Sequence, residues 1–432
     1  MAQQTTSDAV MQQYRNCISL EQKLREESKH KNFYEPDVRA VRMDLRLAYE
    51  SLLFLDYTGA QEREVEPALW KSVFYRPIEE FRRRIKAAAV AGEKGRAPLQ
   101  KVKLTFGGFL QDAARFYRQL ACKLQTAYGA VGFSLEEAQL QTAPAVPDQQ
   151  YTPQDCKPSV YRCLICLGDI FRYETSVLQS QPKKDWSAAA KHYRLAMSVY
   201  PSGGNSYNQL AVLSTYSEDD LAAVYYYFRS LAVAKPFAIA RENLVLLLEQ
   251  IRVKYTKLPQ RVQPKTQSQK LPMKSKRPVN VLMQELSIRL AHVHGILFSK
   301  VNLNDCDELL PAAMADLNDL LGRQGALQAF LHKGPTQQRS EHVLLQLAVL
   351  SMFSMHDIAA APTDQQLRYA EVMKQDVLKQ AVQRVVQSVI AALAAAVAEA
   401  SPTQGSELTG KLVLPTLAIL LEWWALHPAY ST

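Results

Sequence analysis

Glycine is scarce in this chain, at 16 of 432 residues. A loop that cradles a nucleotide needs glycines close together, because backbone N–H groups reach a phosphate only where side chains leave room. No such cluster occurs, and no GxSxG, HExxH or Walker-type motif appears. An acidic pair in an alternating strand–helix context is missing too, so neither catalysis nor a cofactor is expected. The six cysteines, at 17, 122, 156, 163, 166 and 306, form no dense framework. That usage fits a reducing cytoplasm or nucleus, with shuttling between them allowed. Long apolar runs are also lacking. The longest alanine-rich one, Val389 to Ala398, is far short of the ~20 residues of a membrane helix, so no membrane partner is expected. The opening "MAQQTTSDAVMQQYRNC" has no apolar core and does not read as a secretory signal.

Acidic residues are absent from one stretch. Residues 251–280, "IRVKYTKLPQRVQPKTQSQKLPMKSKRPVN", hold nine Lys or Arg and no Asp or Glu. The rest of the chain carries 42 residues of each sign, so the net charge of +9 belongs to this segment. Its prolines at 259, 264, 272 and 278 predict a linker or loop over 258–279. Such a run is commonly a solvated loop, but it also attracts polyanions without sequence specificity.

What the chain has in abundance is Leu, Ala, Gln, Glu, Lys and Arg, with no clean alternation of period two, which predicts an all-α fold. Amphipathic helices are expected over 40–57, 65–90 and 101–128, with a bend at Pro77. A loop rich in Gln and Pro follows at about 138–157. Then the chain repeats. "AAKHYRLAMSVYP" and "AVYYYFRSLAVAKP" superpose with a shift of 34, setting Ala189 on Ala223, Tyr193 on Tyr227 and Ala196 on Ser230. Small, aromatic and small positions at that period, closed by Pro201 and Pro236, form the tetratricopeptide pattern. Matching first-helix positions are Leu167, Gly168 and Phe171, then Leu210, Ala211 and Ser214. Two such repeats predict stacked helix pairs with a concave face. Further helices, from "VLMQELSIRLAHVHGILFSK" to the C-terminus, read as helical hairpins. The expected partition is 1–257, a linker at 258–279, and 280–432.

Within "LGDIFRYE", at 167–174, Asp169, Arg172 and Tyr173 crowd the edge of a helix otherwise built for burial. For a lone arginine, charges meeting water at a helix edge are the commoner reading, and the rest of the chain decides between that and a site. Cys163 and Cys166 form a CxxC, but no second ligand pair stands at zinc spacing, so structural thiols are expected and no metal site. His292 and His294 are two apart and diverge on a helix, which fits packing or capping. Arg76 and Arg83 are seven apart on one side of the 65–90 helix, away from Trp70, Phe74, Ile78, Phe81 and Ile85.

Five stretches in order, "LWKSVFYRPIEEFR", "YRCLICLGDIFRYE", "SYNQLAVL", "LAAVYYYFRSLAVAKPF" and "ARENL", resemble the SMG/Est family of nonsense-mediated mRNA decay and telomerase-associated factors. The first and fourth look most like the SMG six, or Est-one-A, branch. The resemblance covers about residues 10 to 430. It implies a 14-3-3-like domain of tetratricopeptide character followed by helical hairpins. Such a groove binds phosphoserine or phosphothreonine peptides through basic residues and a tyrosine. Carried onto this sequence, the Arg-Tyr pair is Arg172 and Tyr173, with Asp169 positioned to hold Arg172. The basic partners align as Arg76 and Arg83. Alignment through Trp70 to the SMG seven branch instead puts Tyr75 at a lysine position. The asparagines that hold the peptide backbone align as Asn208 and Asn243.

The resemblance therefore implies a phosphopeptide-binding adaptor in mRNA decay, recruited to a phosphorylated RNA helicase. It also implies pairing with another 14-3-3-like domain of the family. A PIN nuclease domain accompanies some members, and no stretch of this sequence is similar to one. Two other readings of the residues stay open: an RNA- or telomerase-associated factor acting through 251–280, and a tetratricopeptide scaffold for unmodified peptides.

Overall fold

The computed structural model describes residues 2–91, 96–129, 155–259, 278–321, 343–359, 369–398 and 416–423. Most of the expected loop at 138–157 and of the basic stretch 258–279 lies outside them. The described residues are helical, and the sole pairing of extended backbone among them is an isolated bridge between Gly203 and Lys235. The chain divides into two compact units, Met1–Pro201 and Ser202–Thr432. The partition at 257 follows composition instead and remains a proposal.

In the first unit, α1 (Ala2–His30) and α2 (Pro36–Leu55) pack together across a short connection. A short helix α3 (Tyr57–Glu62) follows, capped by Asp56, whose carboxylate accepts from the Gly59 N–H at 3.0 Å. Periodicity predicted one bent helix over 65–90. Instead α4 (Val65–Leu69) runs into a π-helical turn, Trp70–Tyr75, which leads into α5 (Arg76–Val90). Pro77 supplies the reason. It has no N–H to donate, and the widened turn lets the Arg76 N–H reach Lys71 O, so Pro77 enters in the first turn of α5. Helix α6 (Arg96–Tyr128) starts earlier than expected because Pro98 is tolerated in a first turn.

The buried faces of the π-helical turn and α5 meet α6 through aromatic rings. Phe81 lies 5.0 Å from Phe106, and Phe74 5.3 Å from Phe116, centroid to centroid. Helix α7 (Lys157–Leu178) packs on α6 and pairs with α8 (Ser187–Val199) as the first repeat. Ala189, Tyr193 and Ala196 are fully buried, as the repeat requires. Gly168 shows why a small residue is needed there. A Cβ at that position would lie 2.3 Å from a Tyr193 ring carbon.

The second unit opens with the second repeat, α9 (Gly204–Tyr216) and α10 (Asp220–Ala232), where Ala223, Tyr227 and Ser230 are buried. A Cβ at Gly204 would meet Ser230 O at 2.5 Å, so these helices also close on a glycine. Helices α11 (Ile239–Thr256), α12 (Val279–Ser299), α13 (Cys306–Leu321), α14 (Val343–Ala359) and α15 (Tyr369–Ala398) follow. Phe228 of α10 stacks on Phe353 of α14 at 4.3 Å. The expected array of helix pairs followed by helical hairpins is what the chain forms.

Candidate anion-binding site

The i, i+3 spacing on α7 sets Asp169 beside Arg172. Arg172 Nη2 donates to Asp169 Oδ1 at 3.0 Å, and Arg172 Nε donates to the Tyr193 hydroxyl at 3.2 Å. Tyr193 in turn donates to Asp169 Oδ1 at 2.6 Å. The Arg172 side chain is only 14% exposed, so the charge-pairing group expected of Asp169 is in place and largely shielded from water. Burial opposes the Arg172 charge, but the Asp169 carboxylate and the neighbouring tyrosines more than offset it and hold the proton tightly. These two bonds leave further N–H donors of the planar fork for an anion. Tyr173 is buried, and burial pushes its hydroxyl up to about 12, so it remains a donor at neutral pH.

The Tyr173 ring is where two helices bring cations together. The Arg172 guanidinium carbon lies 4.6 Å from its centroid, and that of Arg82 from α5 lies 5.2 Å away. Arg82 was not among the expected site residues. Spacing alone did not single it out: it stands seven residues after Tyr75, on a stripe beside that of Arg76 and Arg83, and in the structure Tyr75 also acts electrostatically on Tyr173. The two expected positions, Arg76 and Arg83, occupy the adjoining stripe of α5 and are exposed. Both line a cavity of about 770 Å³ together with Arg82 and with Ser176, which is one turn beyond Arg172 on α7. Arg83 forks onto Glu80 at 2.8 and 2.7 Å, and Arg82 reaches Glu79 at 2.6 Å. Among the described residues Arg76 has no carboxylate within ion-pair reach.

Asn208 and Asn243 belong to the second unit. Asn208 is buried, Asn243 is half-buried, and Asn243 Nδ2 donates to Asn208 Oδ1 at 3.2 Å. The pair therefore meets, and this bond uses one donor of the Asn243 amide and one acceptor site of the Asn208 amide.

Burial pushes the Cys163 and Cys166 thiols well above their usual range, so both are neutral and neither is a nucleophile. His294 is fully buried, with its Nδ1 3.2 Å from Ser354 Oγ, and burial lowers it to about 4. His292 stacks on Tyr255 at 4.6 Å. Both histidines are packing residues. Among the described residues no group of three or more His, Cys, Asp or Glu is placed to hold a metal, and no helix is long and apolar enough to cross a membrane.

Two family models cover most of this architecture. One, described as the Est1 DNA/RNA binding domain, matches residues 189–431. The other, described as telomerase activating protein Est1, matches residues 64–178, which include both arginine-bearing helices of the cavity. The chain belongs to the SMG/Est1 family. Among curated members of the family, the nonsense-mediated mRNA decay factor SMG7 of Arabidopsis thaliana is 28% identical over 91% of this chain and 39% of its own length. The telomerase-binding protein EST1A of Danio rerio is 32% identical over 51% of this chain and 14% of its own. This chain thus spans about two-fifths or less of these relatives. A crystal structure of Est1 and Cdc13 superposes with a TM-score of 0.60 at 12% identity, covering 90% of this chain and 74% of that one. At that identity the likeness is one of fold.

Proposed function

We propose that the chain is a phosphoserine- or phosphothreonine-peptide adaptor in nonsense-mediated mRNA decay, with its phosphate held by Arg172, Tyr173, Arg82 and Arg76. The convergence of Arg82 and Arg172 on the Tyr173 ring carries this reading. Two guanidinium groups from different helices meet there, each with part of its fork on a carboxylate, and a phosphate bearing roughly −1.5 to −2 charges would take their remaining donors. Its three oxygens match the planar forks of the arginines and the tyrosine hydroxyl. The fitting partner is a phosphorylated protein of the decay pathway, and an RNA helicase of that pathway is the expected one. Arg83 is assigned to a supporting position, since Glu80 already engages it; in the second unit, taken by itself, the bonded pair Asn208 and Asn243 is assigned to hold an extended peptide backbone, as the resemblance implies. Pairing with another family member's 14-3-3-like domain and shuttling between cytoplasm and nucleus belong to the same reading.

Titrating a library of peptides with one phosphoserine, each beside its unphosphorylated twin, tests this. Binding should require the phosphate. Arg82→Glu should weaken it by at least tenfold, since one charge-assisted hydrogen bond contributes about 1.5–3 kcal/mol. Equal binding of the twins would refute the reading. A second function is favoured by one observation: the matched model described as a DNA/RNA binding domain spans the nine-cation stretch at 251–280. We propose that this segment contacts RNA or telomeric nucleic acid through phosphates.

A further inference from the structure

The cavity beside Tyr173 is longer than one phosphate requires. Beyond Arg82 it continues along α5 and α6, lined by Lys86, Ala89, Leu99 and Lys103. Lys86 stands one turn past Arg82, about 6 Å along the helix axis. Lys103 enters from α6, three residues before Phe106, whose ring packs on Phe81 of α5. The two carboxylates in the lining are already engaged: Arg82 holds Glu79 at 2.6 Å, and Arg83 and Arg84 hold Glu80 at 2.7 Å each. Among the described residues neither Lys86 nor Lys103 has a carboxylate within ion-pair reach. Among the described residues, the cavity therefore has a second cationic end whose lysines are not paired with a carboxylate of its lining. Its walls there are apolar, through Leu99, Ala89 and the buried Ile85.

We propose that Lys86 and Lys103 form a second acidic subsite, which selects phosphopeptides carrying another acidic residue close to the phosphorylated one. This rests on the phosphopeptide reading of the same cavity. Lysine is a flexible point charge and suits an acidic side chain of variable register, whereas the planar arginine forks suit the phosphate. An extended peptide advances about 3.3 Å per residue. The span from Arg82 to Lys86, with the reach of both side chains, then places the second acid two to four residues from the phosphoresidue. Leu99 and Ala89 would cover the methylene stem of a glutamate there.

The experiment takes the tightest single-phosphoserine peptide from the library and replaces its other acids by alanine. One glutamate is then moved through positions two to four on either side. At one of these positions affinity should rise about twofold to tenfold, the range of partly exposed ion pairs, and the gain should shrink at high salt. Lys86→Ala combined with Lys103→Ala should abolish the gain yet leave the single-phosphate affinity within about twofold. Arginine at both positions should retain it. A gain at no position, or one that survives the double alanine change, overturns the subsite and leaves the phosphopeptide reading standing. Failure of every phosphopeptide to bind removes that reading and this inference with it. A single-stranded RNA that competes for the cavity, and whose own affinity falls with the double change, would mark a nucleic-acid surface and overturn the proposal as well.

Discussion

Arg172 and Arg82 touch the same tyrosine ring from different surroundings, and substitution should separate them. Arg172 is mostly shielded and holds Asp169, which is itself buried, while Arg82 is 44% exposed and pairs with a Glu79 that is 41% exposed. Removing Arg172 leaves a carboxylate away from water that, among the described residues, keeps the Tyr193 hydroxyl as its hydrogen-bond donor. Breaking a buried pair in this way costs about 3 kcal/mol. Removing Arg82 disrupts a surface pair, and its effect on stability should stay within about 0.5 kcal/mol. Urea unfolding of Arg172→Ala and Arg82→Ala should therefore differ clearly, although both lose phosphopeptide affinity. Equal stability of the two variants would show that the Asp169–Arg172–Tyr193 arrangement contributes little to the fold. The proposed role of Arg172 came from the family resemblance, since Asp169, Arg172 and Tyr173 on their own also read as a charged helix edge. That of Arg82 did not. Outward stripes through 75 and 82, and through 76 and 83, are neighbours on the same helix, and only the packing of α7 decides which stripe meets Tyr173.

At the scale of elements, spacing within a repeat was readable and departures from regular helix were not. Ala189, Tyr193 and Ala196, and their counterparts Ala223, Tyr227 and Ser230, are buried because paired helices must close on small residues and fill the remaining gap with a ring. The π-helical turn at Trp70–Tyr75 escaped a reading based on one constant period, since it adds a residue to one turn in response to Pro77. Gly168 ties this scale to the site. Its missing Cβ admits the Tyr193 ring, and the same tyrosine's hydroxyl orients Asp169 and Arg172. Gly168→Ala would force α7 and α8 apart. Alanine is the better helix former, so propensity alone predicts a gain of about 0.5–1 kcal/mol. The clash should win, with a net loss of about 1–3 kcal/mol typical of overpacking, together with weaker phosphopeptide binding. Denaturant midpoints measure the first effect and peptide titration the second. A more stable Gly168→Ala protein would mean that the two helices separate at little cost.

Over the whole molecule, charge is divided rather than spread. The chain outside 251–280 carries 42 basic and 42 acidic residues, so non-specific attraction to a polyanion must come from the nine cations of that segment. The cavity beside Tyr173 draws instead on a few oriented cations, several of them already paired with glutamates. These two sources of anion affinity respond differently to salt. A nucleic acid releases condensed counterions when its phosphates are neutralised, and for single strands the logarithm of affinity falls with the logarithm of salt by about 0.7 for each contact. A short phosphopeptide has no such counterion atmosphere to release. Replacing Lys265, Lys270, Lys274, Lys276 and Arg277 by glutamine should therefore flatten the salt dependence of single-stranded RNA binding by up to about 3 units of slope. The same five changes should leave phosphopeptide affinity within about twofold, since the proposal assigns this segment to nucleic acid and the phosphate to Arg172, Tyr173, Arg82 and Arg76. Arg82→Glu should do the reverse, removing phosphopeptide binding and leaving the RNA slope intact. Affinities for one RNA and one phosphopeptide, measured over a range of salt for all three proteins, give the comparison. If the five changes weaken both ligands in parallel, one surface serves both, and the separation of an RNA-contacting segment from a phosphopeptide cavity is wrong.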